Sequence, residues 1–371
     1  MRLPRPLHPG AWWLWALGLA TAASRTTNPL LLVLIAAVVA HVVVARRTDA
    51  PWARGFKVYV YLGLVVIVIR VVFRMLLDGQ YGAHVLFTLP EIPLPDAAAG
   101  IRIGGPVSLE GLLAALYDGL RLAVLLLCVG AANVLANPKR LLKAMPAALH
   151  EIGVAVTVAL SVAPQLIESG QRVRAARRLR GESGRRLHVF REIALPVMTD
   201  ALDRSLLLAA AMDARGYGRA AAVARPLRAA TEALLLGGLV GIGIGTYGLL
   251  DSTAPRGLGM PMLVGGVAAG WGGMALSGRR VSRSTYRPDP WVLEERSVAG
   301  VGLLVAAVVV TVSVIDPSVL YPSLDPLQWP DLPVVPALAI LVGVLPAWVA
   351  PPNRLPARGT PSVARALEQV A

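Results

Sequence analysis

Runs of apolar residues long enough to cross a bilayer recur along the whole chain, separated by shorter polar connections. They predict helices at about 11–25, 28–45, 56–77, 111–135, 227–250, 259–277, 298–316 and 333–350. Between the fourth and fifth the pattern changes, because charged residues interleave with apolar ones at helical spacing. Leu166, Ser169, Val173, Ala176 and Leu179 recur every three or four residues, with Arg172, Arg174, Arg177 and Arg178 on other faces. After Pro196 a second seam follows, Met198, Leu202, Ser205, Ala209 and Met212, with Asp200, Asp203 and Arg204 lying off it. Two amphipathic helices are expected, the second starting beyond Pro196. The pattern therefore predicts an all-α fold, a polytopic membrane helix bundle with a helical region in its middle. It divides into transmembrane helices over 1–136, central helices over 137–226, further transmembrane helices over 227–350 and a tail over 351–371.

Charge gives this scheme an orientation. The chain of 371 residues is 56% hydrophobic and carries a net charge of +14. Such a charge suits a nucleic-acid partner, but aromatic residues make up only 5% and no zinc-finger or RNA-binding signature accompanies them. Residues 137–228 hold sixteen Lys/Arg against seven acids, so most of the excess sits in one block. The connections at 46–57 and 278–297 are also basic, whereas 78–110 and 317–332 are rich in proline and contain Asp78, Glu91, Asp325 and Asp331. The excess of positive charge on the cytoplasmic side places both termini and the central block there, in a multi-pass protein of the cell membrane. Parity requires that 137–228 leave and return on one face, as surface helices or as a membrane hairpin. The first apolar stretch also fits a signal peptide, with Arg2, Arg5 and the small residues Thr21 to Ser24, but Trp12, Trp13 and Trp15 fit an interfacial anchor better.

Catalytic chemistry finds little support in the residues. The one cysteine, Cys128, excludes an intrachain disulfide and a multi-cysteine metal site. His8, His41, His84, His150 and His188 show no HExxH spacing, and Ser and Asp residues form no nucleophile context. Only three lysines are present, Lys57, Lys139 and Lys143, and none completes a GxxxxGK[ST] phosphate loop. The chain is expected to be a non-catalytic subunit without a metal or cofactor of its own.

The central block instead carries two similar helix ends, Leu179-Arg180-Gly181 and Ala214-Arg215-Gly216. A glycine there accepts the left-handed conformation that closes a helix, and a basic residue in the last turn complements the exposed carbonyls. An arginine beside a residue with no side chain also offers a planar fork of donors to a partner's carboxylates and carbonyls.

These two sites, with "NPKRLLKAM" (Asn137 to Met145), "LSVAPQLIESGQRVRAA" (Leu160 to Ala176) and "TTNP" (Thr26 to Pro29), resemble the transmembrane T component of energy-coupling factor transporters, importers related to cobalt and nickel permease subunits. The resemblance covers roughly residues 8–250. It departs at Leu179, where alanine is usual, and the chain beyond about 251 has no counterpart in it. What the resemblance implies is a cytoplasmic coupling region whose two arginines dock into two ABC-type ATPases. ATP is then used by those partners, and a separate membrane S component captures the vitamin or transition-metal substrate. By motif, Arg180, Gly181, Ala214, Arg215 and Gly216 would be the docking residues. Other readings compatible with the residues are a conventional ABC importer permease, from "RAARRLRGESGRRLHVFREIALP" (Arg174 to Pro196), and a polybasic scaffold that holds anionic headgroups.

Two further expectations concern the membrane part. Arg70 and Asp118 fall at one depth, roughly 10 Å inside the outer edge of a ~30 Å core, so an intramembrane pair is expected. The alternative has Arg70 and Arg74 snorkelling outward while Asp118 pairs with Arg121. Gly237, Gly241 and Gly245 form a small-xxx-small face, and Gly266 and Gly270 form another on the next helix, which suits close helix packing or a sliding surface for a partner.

Overall fold

The computed structural model describes residues 5–47, 55–77, 82–92, 103–144, 150–180, 186–216, 225–250, 257–278 and 289–351. The chain forms two compact units: Met1–Leu141 with Asp289–Ala371, and Leu142–Pro288 between them in sequence. The fold is an all-α polytopic bundle. Among the described residues, seven helical stretches are long and apolar enough to cross a membrane.

The first unit is built around α1 (Pro9–Ser24), whose start is set by Pro9 and by the His8 side chain, which accepts the Gly10 N–H. Trp15, Leu19 and Ala22 of α1 are fully buried, together with Leu31, Ile35 and Val42 of α2 (Pro29–Arg46) and Val124, Cys128 and Ala131 of α4 (Leu109–Leu135). Trp12 and Trp15 therefore serve the core and not an interfacial anchor. Their rings meet edge to face at 6.0 Å, and Trp15 donates to the Gly343 carbonyl at 3.0 Å. α3 (Phe56–Leu77) lies on α4, where Gly63 faces Ala123 and Gly119 faces the Ile67 backbone.

Between α3 and α4 the proline-rich connection holds an antiparallel hairpin, β1 (Val85–Ile92) with β2 (Ile103–Ser108), which the apolar pattern does not predict. The buried Glu110 carboxylate fastens its base by accepting the His84 N–H at 3.1 Å and meeting His84 Nδ1 at 2.6 Å.

The chain returns to this unit with α10 (Leu293–Ile315), α11 (Val334–Val342) and the short α12 (Pro346–Val349), which pack on α1 and α2. Gly18 and Gly302 let α1 and α10 touch backbone to backbone; a methyl group on Gly18 would overlap the Gly302 carbonyl. Polar clips fix the returning segment. Arg5 donates to the buried Glu295 carboxylate at 2.8 and 2.9 Å. In "TTNP", Thr26 donates to the Leu320 carbonyl at 2.8 Å, and the Asn28 amide reaches the Asp331 carbonyl at 2.7 Å while its oxygen caps α2. In "NPKR", Arg140 of α5 (Pro138–Lys143) places Nη2 2.8 Å and Nε 3.1 Å from Asp289, and also donates to the carbonyls of Pro6 and Leu7.

The second unit contains α6 (His150–Leu179), α7 (Arg186–Ala214), α8 (Arg225–Leu250) and α9 (Gly259–Gly278). Of the helices within 227–350, α8 and α9 fall in this unit and α10 to α12 in the first. α7 begins well before Pro196, which lies inside it, just as Pro164 lies inside α6. Of the two central helices, α6 contains a stretch with the composition of a membrane span, Ile152–Arg177, and α7 does not.

Candidate docking site on the central helices

α6 closes at Arg180, whose N–H is shared between the carbonyls of Arg177 and Ala176 at 3.1 and 3.3 Å. Gly181 lies outside the described residues. α7 closes at Arg215 and Gly216, whose N–H groups bond the carbonyls of Met212 and Asp213 at 3.1 and 2.8 Å. Gly216 takes a φ of +72°, the left-handed conformation that the sequence asks of it. Ala214, Arg180 and Arg215 are exposed, and Leu179 is 90% exposed. Neither arginine side chain bonds another described residue, so both forks are directed to solvent.

The expected seam of α6 meets α7 at Ser169, but that of α7 does not face α6. On α7, Met198 and Leu202 are exposed, and Asp200 and Arg204 face α6. Ser169 is 4% exposed and donates to Asp200 Oδ2 at 2.8 Å. Arg204 donates to Asp200 Oδ1 at 3.1 Å and to the Gln165 side-chain oxygen at 3.1 Å. Arg172 completes the cluster, 3.8 Å from Asp200. The Ser169 hydroxyl first, and the Arg204 guanidinium second, hold the Asp200 carboxyl below its ordinary value. An apolar-seam rule overlooks such an interface. The legible signal is the spacing of Gln165, Ser169 and Arg172 opposite the i,i+4 pair Asp200 and Arg204.

The pairings also give direction. Gln165 meets Arg204, and Ser169 meets Asp200, so residue numbers rise along one helix as they fall along the other. α6 and α7 run in opposite senses at this point. By helical rise, Arg180 projects roughly 16 Å from it one way and Arg215 roughly 22 Å the other. The two tips address separate positions.

α8 and α9 form a contrasting pair. Gly238, Gly241, Gly245 and Gly248 face α9, and Gly259, Gly266 and Gly273 face α8. Of the residues expected on this face, Gly241 and Gly245 lie on it, whereas Gly237 has open space around it and Gly238 takes its place.

Arg70 and Asp118 form no ion pair, and neither do Asp118 and Arg121. The levels do agree: a Cβ on Gly119 would lie 3.5 Å from that of Arg70. Arg121 instead donates to the Ser24 carbonyl, and Arg70 is exposed. Among the described residues no group of three or more His, Cys, Asp or Glu is placed to hold a metal ion.

Comparison with known families gives a match to a described family. The family model CbiQ, described as cobalt transport protein, matches residues 2–223, more than half of the chain. The match contains "TTNP", "NPKR" and both arginine tips, and ends before α8. No curated protein matches the chain.

Proposed function

Because the chain belongs to the CbiQ cobalt transport protein family, the family of energy-coupling factor T components, we propose that it is the coupling subunit of such an importer, with Arg180 and Arg215 as its contacts to two ABC-type ATPases. The observation that carries this reading is the pair of exposed, unengaged arginines at helix tips on opposite sides of one crossing. A guanidinium so placed enters a groove and forms paired hydrogen bonds with carboxylates or carbonyls, and each bond to a charged group contributes about 1.5–3 kcal/mol. Closure of the ATPases would move the tips, and α6 and α7 would carry that movement to a substrate-binding membrane partner. ATP chemistry then belongs to the ATPases and selection of a vitamin or metal ion to the S component. The basic central block faces the cytoplasm in this scheme, as do both termini.

Co-purification with candidate ATPases tests the reading. Arg180→Glu and Arg215→Glu together should abolish association; undiminished association in the double variant ends the proposal. Lysine at both positions separates groove docking from attraction to anionic lipid. Lipid attraction survives that change, whereas a site built for a planar fork loses affinity.

A further inference from the structure

Five side chains fasten α6 to α7, and all lie between Gln165 and Arg172 on one helix and between Asp200 and Arg204 on the other. Asp200 is the common partner. It accepts from Ser169 across the helices and from Arg204 along its own, and Arg204 donates from Nη1 to Gln165. Beyond this point the described side chains of both arms are exposed, from Leu206 to Arg215 on α7 apart from partial cover at Met212, and at Arg174, Ala175, Ala176, Leu179 and Arg180 on α6 with partial cover at Arg177.

The prolines give the cluster its mechanical meaning. Pro164 cannot donate to the Leu160 carbonyl, nor Pro196 to the Glu192 carbonyl, so each helix lacks a backbone bond just before the crossing. The polar contacts begin one residue after Pro164 and four after Pro196. They therefore join the two segments that carry the arginines, on the tip side of both weak points.

We infer that Asp200 is the positioning residue that fixes the angle between these two arms, and through it the span between Arg180 and Arg215. The role rests on the docking function proposed for the tips, since two rigidly spaced arginines matter only to two sockets with a matching separation. A change of about 15–20° in the crossing, the spread seen among packed helix pairs, moves the Arg215 tip sideways by about 7 Å. Such a displacement takes a guanidinium out of reach of a fitted groove.

The test measures the span directly in the full chain in lipid nanodiscs. Cys128→Ala removes the one native thiol, and spin labels go on Leu179→Cys and Ala214→Cys for double electron–electron resonance. With Asp200 in place the distance distribution should be narrow. Asp200→Ala should widen it by about 2 Å, since the tips swing mostly across the line that joins them, and Asp200→Asn, which keeps one acceptor oxygen, by less. Equal widths in all three overturn the inference. Should Asp200→Ala lose its helical circular dichroism, Ser169→Ala decides in its place: widening supports the role and an unchanged width overturns it. Arg180→Glu with Arg215→Glu should leave the span unchanged while partner association is lost. Association that survives this pair removes the docking function and leaves the span result standing. Unchanged widths remove the positioning role and leave docking standing.

Discussion

The two hairpins of the second unit, α6–α7 and α8–α9, hold together by opposite means. α8 and α9 touch backbone to backbone from Gly248 and Gly259 at one end to Gly238 and Gly270, beyond which Gly273 meets the Leu235 side chain. α6 and α7 touch through a few polar side chains near their middles and leave their arms uncovered. In lipid, apolar surfaces gain little by meeting one another, so close association falls to dispersion between backbones that glycine allows to approach. That contact is steric and continuous, and it permits one separation. A polar crossing constrains the helices at one place and lets rigid arms reach outward.

The strongest way to break this contrast is to force α8 and α9 apart. A Cβ on Gly266 would lie 2.5 Å from the Ile242 nitrogen and 2.7 Å from the Gly241 carbonyl carbon, and neither backbone atom can move aside. Gly266→Val should cost about 3 kcal/mol in denaturant unfolding of the purified chain. Gly237→Val is the matched control, since nothing lies within 4 Å of its Cβ, and it should fall within about 0.5 kcal/mol of the parent. Equal losses would show that the two faces of α8 are not different.

A smaller effect is expected at the crossing. Ser169→Ala removes a buried hydroxyl whose acceptor, Asp200, can turn to water, so the loss should be about 1 kcal/mol in the same measurement. A loss as large as that of Gly266→Val would mean that α6 and α7 are packed as tightly as the glycine pair.

What the sequence reveals differs between the two hairpins for the same reason. Long apolar runs mark helices well, and α3 occupies the expected 56–77. The glycine face was legible but offset, because strict four-residue steps select Gly237, whereas a helix of 3.6 residues per turn alternates steps of three and four through Gly238, Gly241, Gly245 and Gly248. On α9 the matching glycines recur every seven residues, at Gly259, Gly266 and Gly273. The arginine tips were legible because helix termination is local chemistry. The crossing behind them was not, since the apolar pattern points to Met198 and Leu202 while the contact is made by Asp200 and Arg204. Depth likewise gave Arg70 and Asp118 the same level but not the same direction around their helices. The partners of "TTNP" and "NPKR" were hidden by distance along the chain. Thr26 meets Leu320, and Arg140 meets Asp289, so these motifs inside the family match hold a segment outside it.

Acid gives the gentlest separation of the two hairpins. Asp200 meets Ser169 and Arg172 from α6 and Arg204 from α7, while Gln165 of α6 holds Arg204; none of the four loses its charge or donor capacity on mild acidification. Its carboxyl is lowered from an ordinary 3.8, chiefly by the Ser169 hydroxyl and then by Arg204. A depressed carboxyl stabilises the fold fully above the unfolded value and loses that contribution as pH falls through the folded one. The span between Leu179 and Ala214 labels should therefore stay constant from neutral pH down to about 4 and widen only below it. Labels across α8 and α9 should show no step in that range, because glycines that meet backbone to backbone bring no titrating group to the contact. The pair Arg228 and Glu232 on α8 is exposed and bonds within its own helix, so its protonation does not loosen the seam. Widening of the α6–α7 span near pH 6 would assign the crossing to another titrating group and remove Asp200 from its centre.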